Sequence, residues 1–95
     1  MLYNLHETEN GILLTLCDKE LLGLKLKSEF MEIKISSQIY GGKNFNENTI
    51  NNIEFDSINA IGKKSVSVLK KKGLLKNNET VFIQNNPYVH IEKQF

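Results

Sequence analysis

The single cysteine, Cys17, is the residue of this chain best suited to nucleophilic chemistry. A cysteine attacks as a thiolate, which requires a lowered pKa and a base within reach. His90 is the sensible candidate base, but nothing in the spacing brings it to Cys17. The alternative is a small buried thiol, followed by an aspartate, Asp18, that caps a helical turn. We therefore predict no catalytic residue, and an enzyme that uses Cys17 is the least favoured function.

One cysteine and two histidines also limit metal and redox chemistry. An intrachain disulfide needs a second cysteine, and the common zinc-ligand sets need more cysteines or histidines than the chain has. The sequence therefore predicts no metal site, no cofactor and no evident small-molecule substrate.

Positive charge is concentrated in one segment of the chain. The formal net charge of the protein is +1, yet residues 57–78 contain six lysines and no acidic residue. Such a segment is typical of a surface that binds an anionic partner such as RNA. All twelve basic residues are lysines, which meet a phosphate as point charges. The alternative is an ordinary solvated helix face, with the later lysines favoured by the negative end of the helix dipole.

Two further segments suit contacts with nucleic acid. Tyr40 precedes Gly41 and Gly42, which could form a backbone nest for an anion and leave the tyrosine exposed for stacking. Tyr88 and His90 share one face of a predicted strand, where they suit base stacking and phosphate contact. A plain turn and an ordinary polar sheet face are the alternatives. The predicted RNA-binding residues are Lys63, Lys64, Lys70, Lys71, Lys76, Tyr40, Tyr88 and His90.

Short strands must position most of these residues. Leu2–His6 and Ile12–Leu16 flank the turn signal Asn10-Gly11, so we predict a hairpin. The second of these strands is apolar on both faces and is therefore predicted to be central. Residues 31–39 alternate between apolar and polar side chains, which is typical of a strand with one buried face. Further strands are predicted at Val81–Ile83 and Tyr88–Glu92.

Two helices are predicted beside these strands. Asn46 is placed to cap a short helix that carries Ile50 and Ile53. Asp56 or Ser57 is placed to cap the main helix, residues 57–72, which has an apolar face and an opposite lysine face. The sum is a small α+β fold, a mostly antiparallel sheet with two helices packed on one face.

The length of the chain indicates one domain over residues 1–95. The first residues alternate and include acidic side chains, unlike a signal peptide. No apolar run approaches the ~20 residues that a membrane-spanning helix needs. We therefore expect a cytoplasmic protein with no membrane partner.

Several short motifs follow one another along the chain. They are Cys17-Asp18-Lys19-Glu20-Leu21-Leu22-Gly23, Tyr40-Gly41-Gly42, Asn59-Ala60-Ile61-Gly62, Gly73-Leu74 and Pro87-Tyr88-Val89-His90-Ile91. This order resembles the archaeal domain-of-unknown-function family numbered 424. The family motif positions that the resemblance assigns are Cys17, Asp18, Glu20, Gly23, Gly41, Gly42, Asn59, Gly62 and Pro87. Tyr88 stands where the family has a histidine, which makes an enzyme less favoured still.

The resemblance implies an archaeal cytoplasmic protein without an established enzymatic activity, similar to small-subunit ribosomal proteins of archaea. With the lysine segment, it predicts a small RNA-associated protein, a peripheral component of the small ribosomal subunit. Its partners would be ribosomal RNA and neighbouring small-subunit proteins. The alternative is a protein-interaction accessory factor in translation or RNA processing, whose partner adds a strand to an exposed sheet edge.

Overall fold

A six-stranded mixed sheet forms the centre of the protein. The computed structural model describes residues 1–75 and 80–92. The strands of the sheet are β1 (Leu2–Thr8), β2 (Gly11–Cys17), β5 (Lys43–Asn44), β6 (Ser57–Ile61), β7 (Val81–Ile83) and β8 (Asn86–Glu92). Their order is β5-β1-β2-β6-β8-β7, and β2 and β6 are parallel whereas the other neighbours are antiparallel.

Within residues 1–75 and 80–92, a separate hairpin and three short helical segments lie outside this sheet. In the described part of the chain, the strands β3 (Lys25–Lys27) and β4 (Glu32–Lys34) pair with each other and with no further strand. The helix α1 (Lys63–Lys71) follows β6, and 3₁₀-helices span Lys19–Leu21 and Thr49–Asn52. The parallel pair β2–β6 is possible because a long connection, which includes β3, β4 and the edge strand β5, lies between these two strands.

The predicted architecture of two helices on a mostly antiparallel sheet is wrong. The described residues contain one α-helix, and a parallel pair lies at the centre of the sheet. The main helix was predicted from residue 57, but Ser57–Ile61 is the central strand β6. Ile58 and Ile61 fit a helical stripe, yet over five residues the two periods are hard to separate. Tertiary pairing with β2 and β8 decided the outcome.

The other predicted helix is a single 3₁₀ turn, Thr49–Asn52. Asn46 does act at its start, since its side-chain oxygen accepts hydrogen bonds from the backbone N–H groups of Asn48 at 3.0 Å and Thr49 at 3.2 Å. The long strand predicted over residues 31–39 is also shortened to β4, and a turn occupies residues 37–40.

Both faces of the sheet are covered, at least in part. On one face, α1 packs through Val66, Val68 and Leu69 on a buried apolar cluster that includes Leu14 and Val89. On the opposite face, a second cluster is formed by side chains from the strands and from the segment 21–40. It includes Leu2, Cys17, Ile35, Tyr40, Ile61 and Ile83. The apolar character of β2 on both faces is thereby explained, and its predicted central position is confirmed.

The predicted hairpin at the start of the chain is confirmed, and the last two strands form another hairpin. β1 and β2 pair across the turn before Gly11, with Thr8 opposite Gly11. β7 and β8 pair across Gln84 and Asn85, which both have positive φ, 49° and 68°. Two consecutive residues with positive φ are typical of the tight turns that suit the twist of a hairpin.

Candidate nucleic-acid interface

The exposed side of α1 is the strongest candidate surface. The helix buries Ser65, Val66, Val68 and Leu69, because these positions fall on the side that faces the sheet. Its exposed positions are Lys63, Lys64, Ser67, Lys70 and Lys71. We call the four exposed lysines of α1 the lysine surface. The expectation that helix geometry collects these lysines on one side is confirmed, although the helix begins six residues later than predicted.

The N-terminus of α1 is capped from inside the protein. Asp18, at the end of β2, is buried, with 4% of its surface exposed. Its carboxylate accepts hydrogen bonds from the backbone N–H of Lys64 at 3.1 Å and of Ser65 at 2.8 Å. The hydroxyl of Ser65 also donates to it, at 2.8 Å. The anion that a helix N-terminus favours is therefore a side chain of this chain, not a ligand.

Gly62 makes this cap possible. It has φ of +113°, which strains any residue with a side chain, and a Cβ placed there would overlap the Asp18 carboxyl group. The backbone N–H of Gly62 donates to the carbonyl of Pro87 at 2.9 Å. Three of the motif positions, Asp18, Gly62 and Pro87, therefore meet where β6 turns into α1, and their role is structural.

The lysines of α1 lie at both ends of the helix, where the helix dipole affects them differently. Lys70 and Lys71 lie in the last turn, where the helix dipole favours cations. Lys63 and Lys64 lie in the first turn, where cations are unfavourable. The sequence pattern placed this pair in the middle of a longer helix, so this contrast emerges only from the structure. Helix stability explains the later pair but not the earlier one.

Most of the lysine surface is free of counter-charges. Lys71 Nζ lies 2.9 Å from Glu47 Oε1, and this hydrogen bond and the lysine charge lower the pKa of the Glu47 carboxyl group. Within residues 1–75 and 80–92, Lys63, Lys64 and Lys70 form no ion pair. These three ammonium groups are therefore available to an external anion. Lys76, which was also predicted to bind RNA, lies outside the described residues.

Tyr40 does not offer a surface for stacking. Only 4% of its surface is accessible, because its ring belongs to the buried cluster opposite α1. Its hydroxyl donates a hydrogen bond to the side-chain oxygen of Asn59. Burial, together with the neighbouring Tyr88 and Cys17, raises the pKa of the Tyr40 hydroxyl well above its usual range. Tyr40 is therefore a packing residue, and the prediction that it is exposed for stacking is wrong.

Asn59 links Tyr40 to the last strand. Its amide nitrogen donates to the Tyr88 hydroxyl at 2.8 Å and lies 3.5 Å from His90 Nδ1. Asn59 was expected in the first turn of a helix, but it lies in β6, directly opposite His90 on β8. The motif residues Tyr40, Asn59 and Tyr88 thus form one hydrogen-bonded group across the sheet.

Gly41 and Gly42 pack closely against other parts of the backbone. A Cβ on Gly41 would lie 2.6 Å from the carbonyl oxygen of Ser37, and one on Gly42 would lie 2.5 Å from that of Tyr3. The Asn4 side chain donates to the Gly41 carbonyl at 3.0 Å. Close approach of the backbone explains both glycines without an anion.

His90 is exposed and Tyr88 is half-buried, but neither belongs to the same surface as the lysines. Tyr88 packs in the cluster opposite α1, whereas its neighbour Val89 packs beneath the helix. His90 lines an open groove of about 550 Å³ on the face opposite α1. The other lining residues are Thr8, Asn10, Leu13, Asp56, Ser57 and Glu92. Sequence reasoning missed this groove, since its residues come from three stretches that are far apart in the chain.

Two acidic side chains line the groove, and one of them is already hydrogen-bonded to the backbone. Asp56 and Glu92 line it, and Asp56 Oδ2 accepts a hydrogen bond from the backbone N–H of Ile12 at 2.7 Å. A phosphate is disfavoured beside two carboxylates. In the described parts of the chain, no group of three or more histidine, cysteine or acidic side chains is arranged to hold a metal ion.

Cys17 is unsuited to nucleophilic attack. It is completely buried, and its Sγ lies 3.9 Å from the Tyr40 carbonyl, to which it donates. Burial, with a smaller contribution from Asp18, raises the pKa of the thiol to about 11. Across the described ranges no hydrogen bond joins Cys17 to His90.

The remaining motif positions also have local roles. Glu20 is exposed in the 3₁₀-helix that follows β2. The backbone N–H of Gly23 donates to the carbonyl of Ile35 at 2.7 Å, which ties the segment after this helix to the chain beyond β4.

Comparison with protein families shows that the chain belongs to the DUF424 family. The family model described as "Protein of unknown function (DUF424)" matches residues 6–93. A crystal structure of an uncharacterized conserved protein from Methanopyrus kandleri has a TM-score of 0.74 and 29% sequence identity, covering 99% of this chain and 95% of that chain. No curated protein matches the chain significantly.

Within the described residues, no helix has the length and apolar character that a membrane span requires.

Proposed function

We propose that this chain, which belongs to the DUF424 family, binds RNA through the lysine surface of α1. The observation that supports this proposal is the position of Lys63 and Lys64 in the first turn of the helix. Two adjacent cations at the positive end of a helix dipole reduce helix stability, by typically 0.3–1 kcal/mol each. An external polyanion compensates for this cost, because each ammonium that neutralises a phosphate releases condensed counterions.

The identity of the RNA is the finer part of the proposal. We propose ribosomal RNA of the small subunit, with the protein at the periphery of that subunit in the cytoplasm and next to other small-subunit proteins. The family resemblance and the small size of the chain support this assignment. The burial and raised pKa of Cys17 also support a binding role over an enzymatic one.

The double variant Lys63→Glu/Lys70→Glu tests the lysine surface. We expect it to bind poly(U) and purified small-subunit ribosomal RNA more weakly than the wild type. The plot of log K against log salt should also become flatter, by roughly 0.7 for each phosphate of a single strand that the protein no longer neutralises. The first substitution favours the helix dipole and the second opposes it, so we expect little net change in helix stability.

Lys34→Glu/Lys43→Glu is the matched control, because both lysines are exposed and lie in strands outside α1. It changes the net charge by the same amount. Equal affinities and equal salt slopes for the two double variants would contradict a localised lysine surface. Filter binding or fluorescence anisotropy over a salt series gives both quantities.

A protein-interaction function is the second candidate, and the edge strand β7 favours it. Among the described residues β7 pairs on one side only, with β8, and Val81 and Phe82 on it are 50% and 66% exposed. An edge strand with exposed apolar side chains suits a partner that adds a strand. If RNA binding fails, this edge is the next surface to test.

A further inference from the structure

We infer that Ser67 is the phosphate-binding hydroxyl at the centre of the lysine surface. This inference rests on the proposed RNA-binding function and names the group that receives one phosphodiester of the RNA. Ser67 was not among the predicted RNA-binding residues, since its single hydroxyl carries no charge signal in the sequence.

The geometry of α1 surrounds Ser67 with ammonium groups. Lys63 and Lys64 precede it by four and three residues, and Lys70 and Lys71 follow it by three and four. Residues separated by three or four positions are neighbours on a helix surface. Ser67 is exposed, and its short side chain leaves a gap among four long ones. An anion that enters this gap is within reach of a lysine on each side.

The hydroxyl of Ser67 is free to donate. In the described part of the chain it forms no hydrogen bond, whereas the hydroxyl of Ser65 on the buried side donates to Asp18 at 2.8 Å. The two serines of α1 therefore differ in role: one completes the cap, and the other faces the lysines. A serine hydroxyl can donate its proton to a phosphodiester oxygen while the ammonium groups balance the negative charge.

The helix propensities of serine and alanine allow phosphate binding by Ser67 to be distinguished from a purely structural role. Serine is a poorer helix former than alanine at an exposed interior position, because its hydroxyl competes for backbone hydrogen bonds. If the residue at this position contributed only to helix stability, replacing it with alanine would make the helix more stable. Ser67→Ala should therefore affect stability and RNA binding in opposite directions.

Three variants of Ser67 test the inference with poly(U) as the probe. We expect Ser67→Ala to weaken binding by roughly three- to tenfold, in the range of the net contribution of one hydrogen bond that is open to solvent, with the salt slope unchanged. Its melting temperature should equal or exceed that of the wild type. Ser67→Thr keeps the hydroxyl and should restore part of the affinity. Ser67→Glu should weaken binding further than alanine, because its carboxylate lies among the lysines that bind the phosphate.

Ser37 provides the matched control, because it is exposed and lies in the turn after β4. Ser37→Ala and Ser37→Glu make the same chemical changes outside α1, and we expect each to bind poly(U) as the wild type does. Equal effects of glutamate at the two positions would overturn the inference, since only net charge would then matter.

The outcomes separate this inference from the function on which it rests. If Lys63→Glu/Lys70→Glu weakens binding while Ser67→Ala binds as the wild type does, the Ser67 inference is overturned and the lysine surface remains. If the wild-type protein shows no salt-dependent binding to RNA, both are overturned. Weaker binding by Ser67→Ala with an unchanged salt slope and partial rescue by Ser67→Thr supports the inference.

Discussion

At the level of single residues, several side chains that could have been reactive or available to a ligand are buried in the fold. Cys17 is buried among apolar groups, and Tyr40 donates its hydroxyl to Asn59. Asp18 is buried too, but three hydrogen bonds from α1 satisfy its carboxylate. These three motif residues therefore have structural roles, and the exposed polar groups of α1 are lysines and a serine.

The thiol of Cys17 should be unreactive in the folded protein. We expect iodoacetamide to modify it slowly at pH 8 and rapidly after unfolding, because the thiol is buried and its pKa is raised to about 11 from 9.0. A group whose pKa is raised on folding contributes stability below its unfolded pKa and loses it as pH rises through the folded value. The contribution of Cys17 should therefore decline between pH 9 and pH 11.

Mass spectrometry of alkylated samples with and without denaturant measures this protection. Equal labelling rates in the two samples would show that the thiol is accessible in the native protein, and would return Cys17 to consideration as a nucleophile.

Among the secondary-structure elements, the junction between β2, β6 and α1 holds the helix in place. Asp18 at the end of β2 binds the first turn of α1, and Gly62 leaves room for it. This cap joins residues that are 46 positions apart in the chain. The direction of the lysine surface therefore depends on a contact between two distant elements.

Replacing Asp18 with asparagine should destabilise the protein by about 2 to 3 kcal/mol. Asparagine has the same shape, but it lacks the charge that strengthens the hydrogen bonds from Lys64 N–H and Ser65 N–H, and it brings a donor toward other donors. Urea unfolding monitored by circular dichroism measures the change in unfolding free energy. Glu20→Gln is the control, since Glu20 is exposed in the neighbouring 3₁₀-helix. An Asp18→Asn variant as stable as this control would show that the cap contributes little.

For the molecule as a whole, the sheet separates two different surfaces. The lysine surface lies on the α1 face, and the groove that contains His90 lies on the other. The predicted set of RNA-binding residues therefore does not form one continuous interface. Tyr88 and His90 lie on the far side of the sheet from α1.

Fractionation of a native lysate on sucrose gradients tests the ribosomal assignment for the intact protein. We expect it to migrate with the small subunit at low salt and to be released at high salt, because phosphate contacts weaken as salt rises. An immunoblot across the gradient locates the protein. Migration at the top of the gradient under both conditions would exclude stable association with ribosomes and shift attention to the β7 edge.

Local features of this protein follow from the order of its amino acids alone. The first hairpin follows from its turn residues, the central position of β2 from its apolar residues on both faces, and the single lysine face of α1 from helix geometry. The family also followed from short motifs, most of which pack or cap in the structure. These features depend on neighbouring residues, so a linear pattern records them.

In contrast, contacts between distant segments determined which side chains are buried and on which face of the sheet the others lie. Ser57–Ile61 became a strand because β2 and β8 provide hydrogen-bond partners on both sides, which no local pattern records. That change moved the start of the helix to Lys63 and placed two lysines at its positive end. Packing across the sheet also drew Tyr40 into the interior and put Tyr88 and His90 on the face opposite the lysines. These long-range contacts decide which of the predicted residues share a surface with the lysines of α1.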